Sequence, residues 1–90
     1  MEKLTKAEEQ IMLILWQLEK AFVKDIIERI PEPKPHYNTV STMIKLLQEK
    51  KFVGFKAYGK TYEYYPLITK ENYFRRSVTP MLKNYFDGLF

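Results

Sequence analysis

Residues 38–50 read NTVSTMIKLLQEK, and the division of this stretch into two faces decides how the whole chain is understood. Val40, Met43, Ile44 and Leu47 recur at i, i+3, i+4 and i+7, the spacing of a helix that buries one stripe. The remaining positions of its first two turns are short polar side chains, Asn38, Thr39, Ser41 and Thr42, followed by Lys45. A helix that faces only water ordinarily carries long Glu and Lys side chains, and Ser and Thr are mediocre helix formers. Such a cluster at the head of a helix calls for capping or for contact. Asn38 can cap. Thr39, Ser41 and Thr42 remain, and hydroxyls of this kind suit base edges, phosphates and thymine methyls.

Immediately upstream lies Pro31-Glu32-Pro33-Lys34-Pro35, which lacks three amide donors and favours extended backbone, so it is read as a stiff connector. Before it, Val23, Ile26, Ile27 and Ile30 recur at helical spacing, with Lys24, Asp25, Glu28 and Arg29 on the other face; this short helix must stop at Pro31. Further back, Thr5 with Glu8 three residues on forms a capping box for a first helix. Leu4, Ile11, Ile14, Leu15 and Leu18 form its inward stripe, Trp16 lies at the stripe's edge as a partly buried core aromatic, and Glu8, Glu9, Gln10 and Gln17 are expected mostly elsewhere.

Downstream of Lys50-Lys51 the period changes to two. Phe52–Ala57 and Lys60–Pro66 read as strands joined by a tight connection containing Tyr58-Gly59, with Tyr62 and Tyr64 toward one face and Thr61, Glu63 and Tyr65 toward the other. Thr69 can cap a helical turn, and Thr79-Pro80 is a favoured start for another helix. Met81, Leu82, Tyr85, Phe86 and Leu89 then form an apolar stripe that ends without a C-cap, expected either to pair with a second copy or to pack back on its own domain. Residues 1–68 are taken as one domain and 69–90 as the truncated beginning of a helical dimerisation region.

A chain of 90 residues with 46% hydrophobic and 29% charged residues is sized and composed for one globular core. No apolar run approaches the roughly 18 residues needed to span a bilayer, no export signal opens the chain, and there is no cysteine, so a cytoplasmic protein without membrane insertion is expected. The net charge of +4 is concentrated: residues 34–62 carry six lysines against the single Glu49. That excess is an electrostatic footprint for a polyanion. No glycine-rich phosphate loop, nucleophile beside a histidine or carboxylate pair is visible, and His36, the only histidine, reads as a surface loop residue or a phosphate contact. Neither an enzyme, nor a cofactor, nor a metal site is expected.

Helix, helix, connector, helix and hairpin is the order of a winged helix-turn-helix, an α+β and mainly α fold whose third helix reads DNA and whose hairpin is the wing. A winged helix that only binds protein is the competing reading. The chain also resembles the penicillinase and methicillin-resistance repressor family, the BlaI/MecI type with its copper-responsive relatives. The likeness rests on Leu4-Thr5-Lys6-Ala7-Glu8-Glu9 with Ile14-Leu15-Trp16, on Tyr37-Asn38-Thr39-Val40-Ser41-Thr42-Met43, on Lys50-Lys51-Phe52-Val53 and on Tyr62-Glu63-Tyr64-Tyr65-Pro66-Leu67. The resemblance implies a homodimeric repressor of resistance or stress genes that binds an inverted repeat with TACA/TGTA-like half-sites on double-stranded DNA. It also implies relief through a membrane sensor-protease pathway acting on the full-length protein. The copper branch, whose members bind metal through C-terminal cysteines, is set aside because this chain has none. Leu46 departs from the pattern, standing where relatives commonly carry a basic residue.

The expected base contacts are Thr39 and Thr42, then Ser41 and Asn38, the last two having the alternatives of facing water and of capping. Lys45, Lys50, Lys51, Lys56 and Lys60 are expected on phosphates, with some as bystanders. Tyr37 either touches the DNA backbone or covers the core beneath the proline connector.

Overall fold

The computed structural model describes residues 4–75. Helix α1 (Lys6–Leu18) starts where the capping box places it: the Glu8 amide donates to Thr5 Oγ1 at 3.1 Å and the Thr5 amide to Glu8 Oε1 at 2.9 Å. It ends at Glu19, a non-glycine cap at φ 71° whose amide donates to Leu15 O. Helix α2 (Val23–Arg29) opens with the Phe22 amide held by Asp25 Oδ2 at 3.1 Å and gives way to extended backbone at Ile30, before Pro31. The connector contains a cis peptide between Glu32 and Pro33.

Helix α3 (Tyr37–Glu49) begins one residue before the expected start, with His36 at the cap making no side-chain hydrogen bond. Asn38 therefore lies inside the helix and is not its cap. The other end is a Schellman motif: the Phe52 amide donates to Leu47 O at 2.9 Å and the Lys51 amide to Gln48 O at 3.0 Å. Lys51, at φ 67°, occupies the left-handed position where glycine is preferred, and Phe52 is buried beneath it. Phe52 thus belongs to the helix end, which shifts the first strand by one residue.

Strands β1 (Val53–Tyr58) and β2 (Thr61–Pro66) pair antiparallel with Val53 opposite Pro66 and Tyr58 opposite Thr61. Gly59, at φ 62°, is the first residue of the two-residue connection, the position that a type II′ turn gives to glycine. The hairpin is tied to the helices by a pair of backbone bonds that sequence periodicity did not reveal: the Ala21 amide donates to Tyr64 O at 2.9 Å and the Tyr64 amide to Ala21 O at 2.8 Å.

The core joins all of these. Ile11, Met12, Leu15, Ile26, Val40, Ile44, Leu47, Phe52, Val53 and Tyr64 are buried together. Packing continues past residue 68, the expected domain limit. Thr69 caps a helical turn at 70–75 through the Asn72 amide, and Tyr73, 1% exposed, inserts between Trp16 and Phe52 with its hydroxyl donating to Glu9 Oε2 at 2.8 Å. Trp16 is half-buried, its indole N–H donating to Ile68 O at 2.8 Å.

One expectation for α1 is corrected. Glu8, placed outside the inward stripe by the hydrophobic spacing, is only 3% exposed. It is the described residues' buried charged group, and its partner is Lys50 at the far end of α3.

Candidate nucleic-acid interface

Because Val40, Ile44 and Leu47 are buried and Met43 packs beside them, the opposite side of α3 is turned outward. Asn38, Thr39, Thr42 and Lys45 are exposed, and Ser41 is half-buried. Leu46 lies on the same outer side, 43% exposed. Thr39, Thr42 and Leu46 follow one another at i, i+3 and i+7, so they share a stripe.

The edge of α3 nearest the hairpin carries Tyr37, Ser41 and Lys45. These residues share a recess of about 190 Å³ with Lys60, Thr61 and Tyr62 of the wing. Two lysines and several hydroxyl-bearing residues from the helix and the hairpin line it, and none of the lining residues is acidic. Toward the end of the helix, Lys45, Gln48 and Glu49 face Phe55, Tyr62 and Tyr64 across a second recess of about 310 Å³. Tyr37 is 56% exposed, so it does not cover the core beneath the connector. Burial raises the Tyr64 hydroxyl above the usual tyrosine range, and the neighbouring Tyr37 and Tyr62 add to the rise.

The lysines divide into two groups. Lys34 Nζ donates to the carbonyl oxygens of Ile27 at 3.1 Å, Glu28 at 3.1 Å and Ile30 at 2.8 Å, so it caps the C-terminus of α2. Lys50, expected on a phosphate, instead donates to both oxygens of Glu8 at 3.0 and 3.1 Å, with its side chain 24% exposed. Burial pushes the Glu8 carboxyl upward, but the hydrogen bond from the Thr5 amide and the bond and charge of Lys50 outweigh it and hold the group below the usual glutamate range. The buried carboxylate gives Lys50 a partner within the protein, since a buried charge left without a cation is costly. Lys45, Lys51, Lys56 and Lys60 are exposed. Lys56 lies 5.3 Å from the centroid of the Tyr58 ring, a cation–π contact on the wing, and stands opposite Glu63 in the strand register.

Sequence reasoning left out two residues at this surface. Lys24, at the start of α2, lines a further recess with Phe22, Tyr37, Thr61 and Tyr62. Tyr62 borders all three recesses. Strand alternation gave Tyr62 its face, but the approach of α2 and α3 to that face is tertiary. The expected dimerisation residues Met81, Leu82, Tyr85, Phe86 and Leu89 lie outside the described residues. Among the described residues, no helix is long and apolar enough to cross a membrane, and no group of three His, Asp or Glu side chains could hold a metal ion.

The chain is 27% identical over 89 residues to the methicillin resistance regulatory protein MecI of Staphylococcus aureus strain N315, a match covering 98% of this chain and 72% of that protein. The MecI protein of Staphylococcus epidermidis matches to the same extent. Among solved structures, a CopR repressor superposes with a TM-score of 0.61 at 29% identity, covering 74% of this chain and 99% of the other. The DNA-binding domain of the repressor BlaI superposes with a TM-score of 0.67 at 22% identity, covering 81% and 94%; at that identity the likeness concerns the fold. The sequence pattern of the penicillinase repressors extends over residues 4–90. With the winged-helix architecture and nearly the whole chain matched, this protein belongs to the penicillinase repressor family.

Proposed function

We propose that this protein is a sequence-specific transcriptional repressor that lays the outer side of α3 in the major groove of operator DNA and sets the wing against the backbone. The observation that carries the reading is the combination on α3 of an outward polar stripe, Asn38, Thr39 and Thr42, with a basic recess shared by Lys45 and Lys60. The major groove admits a helix and offers base edges to short hydroxyl and amide side chains. The recess suits a backbone phosphate, held from the helix by Lys45 and from the wing by Lys60, with Ser41, Tyr37 and Thr61 as neutral donors beside it. Lys24, Lys51 and Lys56 extend the positive surface on either side. Lys34 and Lys50 have structural partners and are left out of the interface.

The proposed assembly is a homodimer on an inverted repeat, in keeping with a family of repressors, and the proposed targets are resistance or stress-response genes, resistance being what the name of the MecI relatives describes. Such a protein needs no cofactor and carries out no reaction.

Mobility shifts at two salt concentrations test the reading. Thr39→Ala or Thr42→Ala should lose about 1–3 kcal/mol on the specific duplex and almost nothing on random DNA. Lys60→Ala should weaken both equally and make the salt slope shallower by about 0.9. Equal losses on both duplexes for the threonine variants would remove the base-reading claim. No DNA binding at all by the wild-type protein would favour a winged helix that binds only protein.

A further inference from the structure

Leu46 is an apolar side chain set in the polar side of α3, 43% exposed, one turn beyond Thr42 and two turns beyond Thr39. A single exposed leucine is ordinary on a protein surface. This one differs in its place, because it continues the stripe that the proposed function assigns to base contact, and the core takes Ile44 and Leu47 on either side of it without taking Leu46. Resting on that reading, we infer that Leu46 is a specificity determinant that recognises the C5-methyl group of a thymine in the operator.

The chemistry follows from what the groove offers a leucine. Opposite a phosphate, or opposite the acceptor or donor edge of a guanine, adenine or cytosine, its isobutyl group would strip water from a polar atom and return no hydrogen bond. Thymine alone presents an apolar group there. Burying a methyl against the leucine gains affinity, while any other base at that position meets an unmatched surface. The geometry gives the register. Leu46 lies seven residues beyond Thr39, about 10 Å along a helix rising 1.5 Å per residue, and a base-pair step is about 3.4 Å along the DNA axis and longer along the inclined groove. The recognised methyl therefore stands no more than about three base pairs from the base that Thr39 touches. Lys45, next in sequence and lining the recess shared with the wing, keeps the adjacent backbone charge satisfied, so the leucine has no phosphate to neutralise.

The experiment uses the duplex that the wild-type chain enriches from a randomised library. Each thymine is replaced in turn by deoxyuridine, which exchanges only the methyl for hydrogen, and binding is followed by fluorescence anisotropy. At one thymine per half-site the wild type should weaken about fourfold, the worth of roughly one buried methylene. Leu46→Ala, which loses the contact in both half-sites of a homodimer, should already bind the thymine duplex about sixteenfold more weakly and should be indifferent to the exchange at that position. Thr39→Ala should keep the wild type's sensitivity there. Because Leu46 is exposed, the alanine variant should unfold at the wild-type temperature. If every thymine exchange affects wild type and Leu46→Ala alike, or if Leu46→Ala changes only the association state, the inference is overturned while DNA reading by α3 stands. If the library yields no enriched duplex, both fall.

Discussion

Replacing Lys50 by methionine separates a structural lysine from a DNA-binding one. In the folded protein Lys50 Nζ lies 3.0 and 3.1 Å from the two oxygens of Glu8, whose side chain is 5% exposed. Removing one partner from a buried pair typically costs about 3–5 kcal/mol, because the other charge is left without compensation. Here the cost is smaller. Lys50 is about a quarter exposed, and Glu8 keeps the Thr5 amide at 2.9 Å. About 2–3 kcal/mol is expected at neutral pH, in the range of a lost charged hydrogen bond, which for a domain of this size lowers Tm by about 10–20 °C. The pH dependence carries the argument. Glu8 titrates below its ordinary range in the folded protein, so its contribution is present above the unfolded value of about 4.3 and is lost as pH falls through the lower, folded value. Without Lys50, burial acts against the Thr5 bonds alone, and Glu8 takes up its proton at a higher pH. The gap in urea midpoint between wild type and Lys50→Met should therefore narrow from pH 7 to about pH 3, and adding Glu8→Gln to Lys50→Met should recover part of the loss. A gap that stays constant with pH, together with no recovery in the double variant, would refute the ion-pair account. On DNA, Lys50→Met should keep the wild-type salt slope; a slope reduced by about 0.9 would return Lys50 to the phosphate contacts.

Lys51→Gly should raise stability by about 1 kcal/mol, because the residue at φ 67° no longer carries a Cβ, while lowering affinity for any duplex; urea unfolding and mobility shift read the two effects separately. Thr5→Ala should cost about 1 kcal/mol in thermal unfolding through loss of the α1 cap. Tyr73→Ala should cost about 3–5 kcal/mol, since a ring buried against Trp16 and Phe52 is removed; a loss under 1 kcal/mol would mean that 69–75 is dispensable to the core. Above about pH 10 unfolded Tyr64 ionises before the folded one, so stability should fall with rising pH, and Tyr64→Phe should flatten that decline in urea titrations.

Much of the fold was legible because it is local. The capping box of Thr5 and Glu8, the proline stop after Ile30, the buried stripe of α3 and the change of period at Phe52 each depend on residues within one or two turns of one another. The outward position of Thr39 and Thr42 follows from the same stripe, since a helix that buries Val40, Ile44 and Leu47 must turn its other side out. The cap of α3 lies two residues before Asn38, the favoured cap, because His36 takes that place without a side-chain bond.

What charge counting could not resolve was the work of each lysine. Lys34, Lys45, Lys50 and Lys60 are alike in sequence, yet one closes a helix end, one neutralises a carboxylate 42 residues away in the chain, and two line a recess between helix and wing. The amino-acid sequence by itself determined the elements, their order and the polar character of the third helix, since periodicity, capping and turn chemistry act over a few residues. Tertiary structure alone decided that Glu8 is buried, that Ala21 anchors the wing, that Tyr73 completes the core, and which lysines remain on the surface. Those outcomes depend on contacts between segments far apart in the chain, and such contacts are set by how the elements pack.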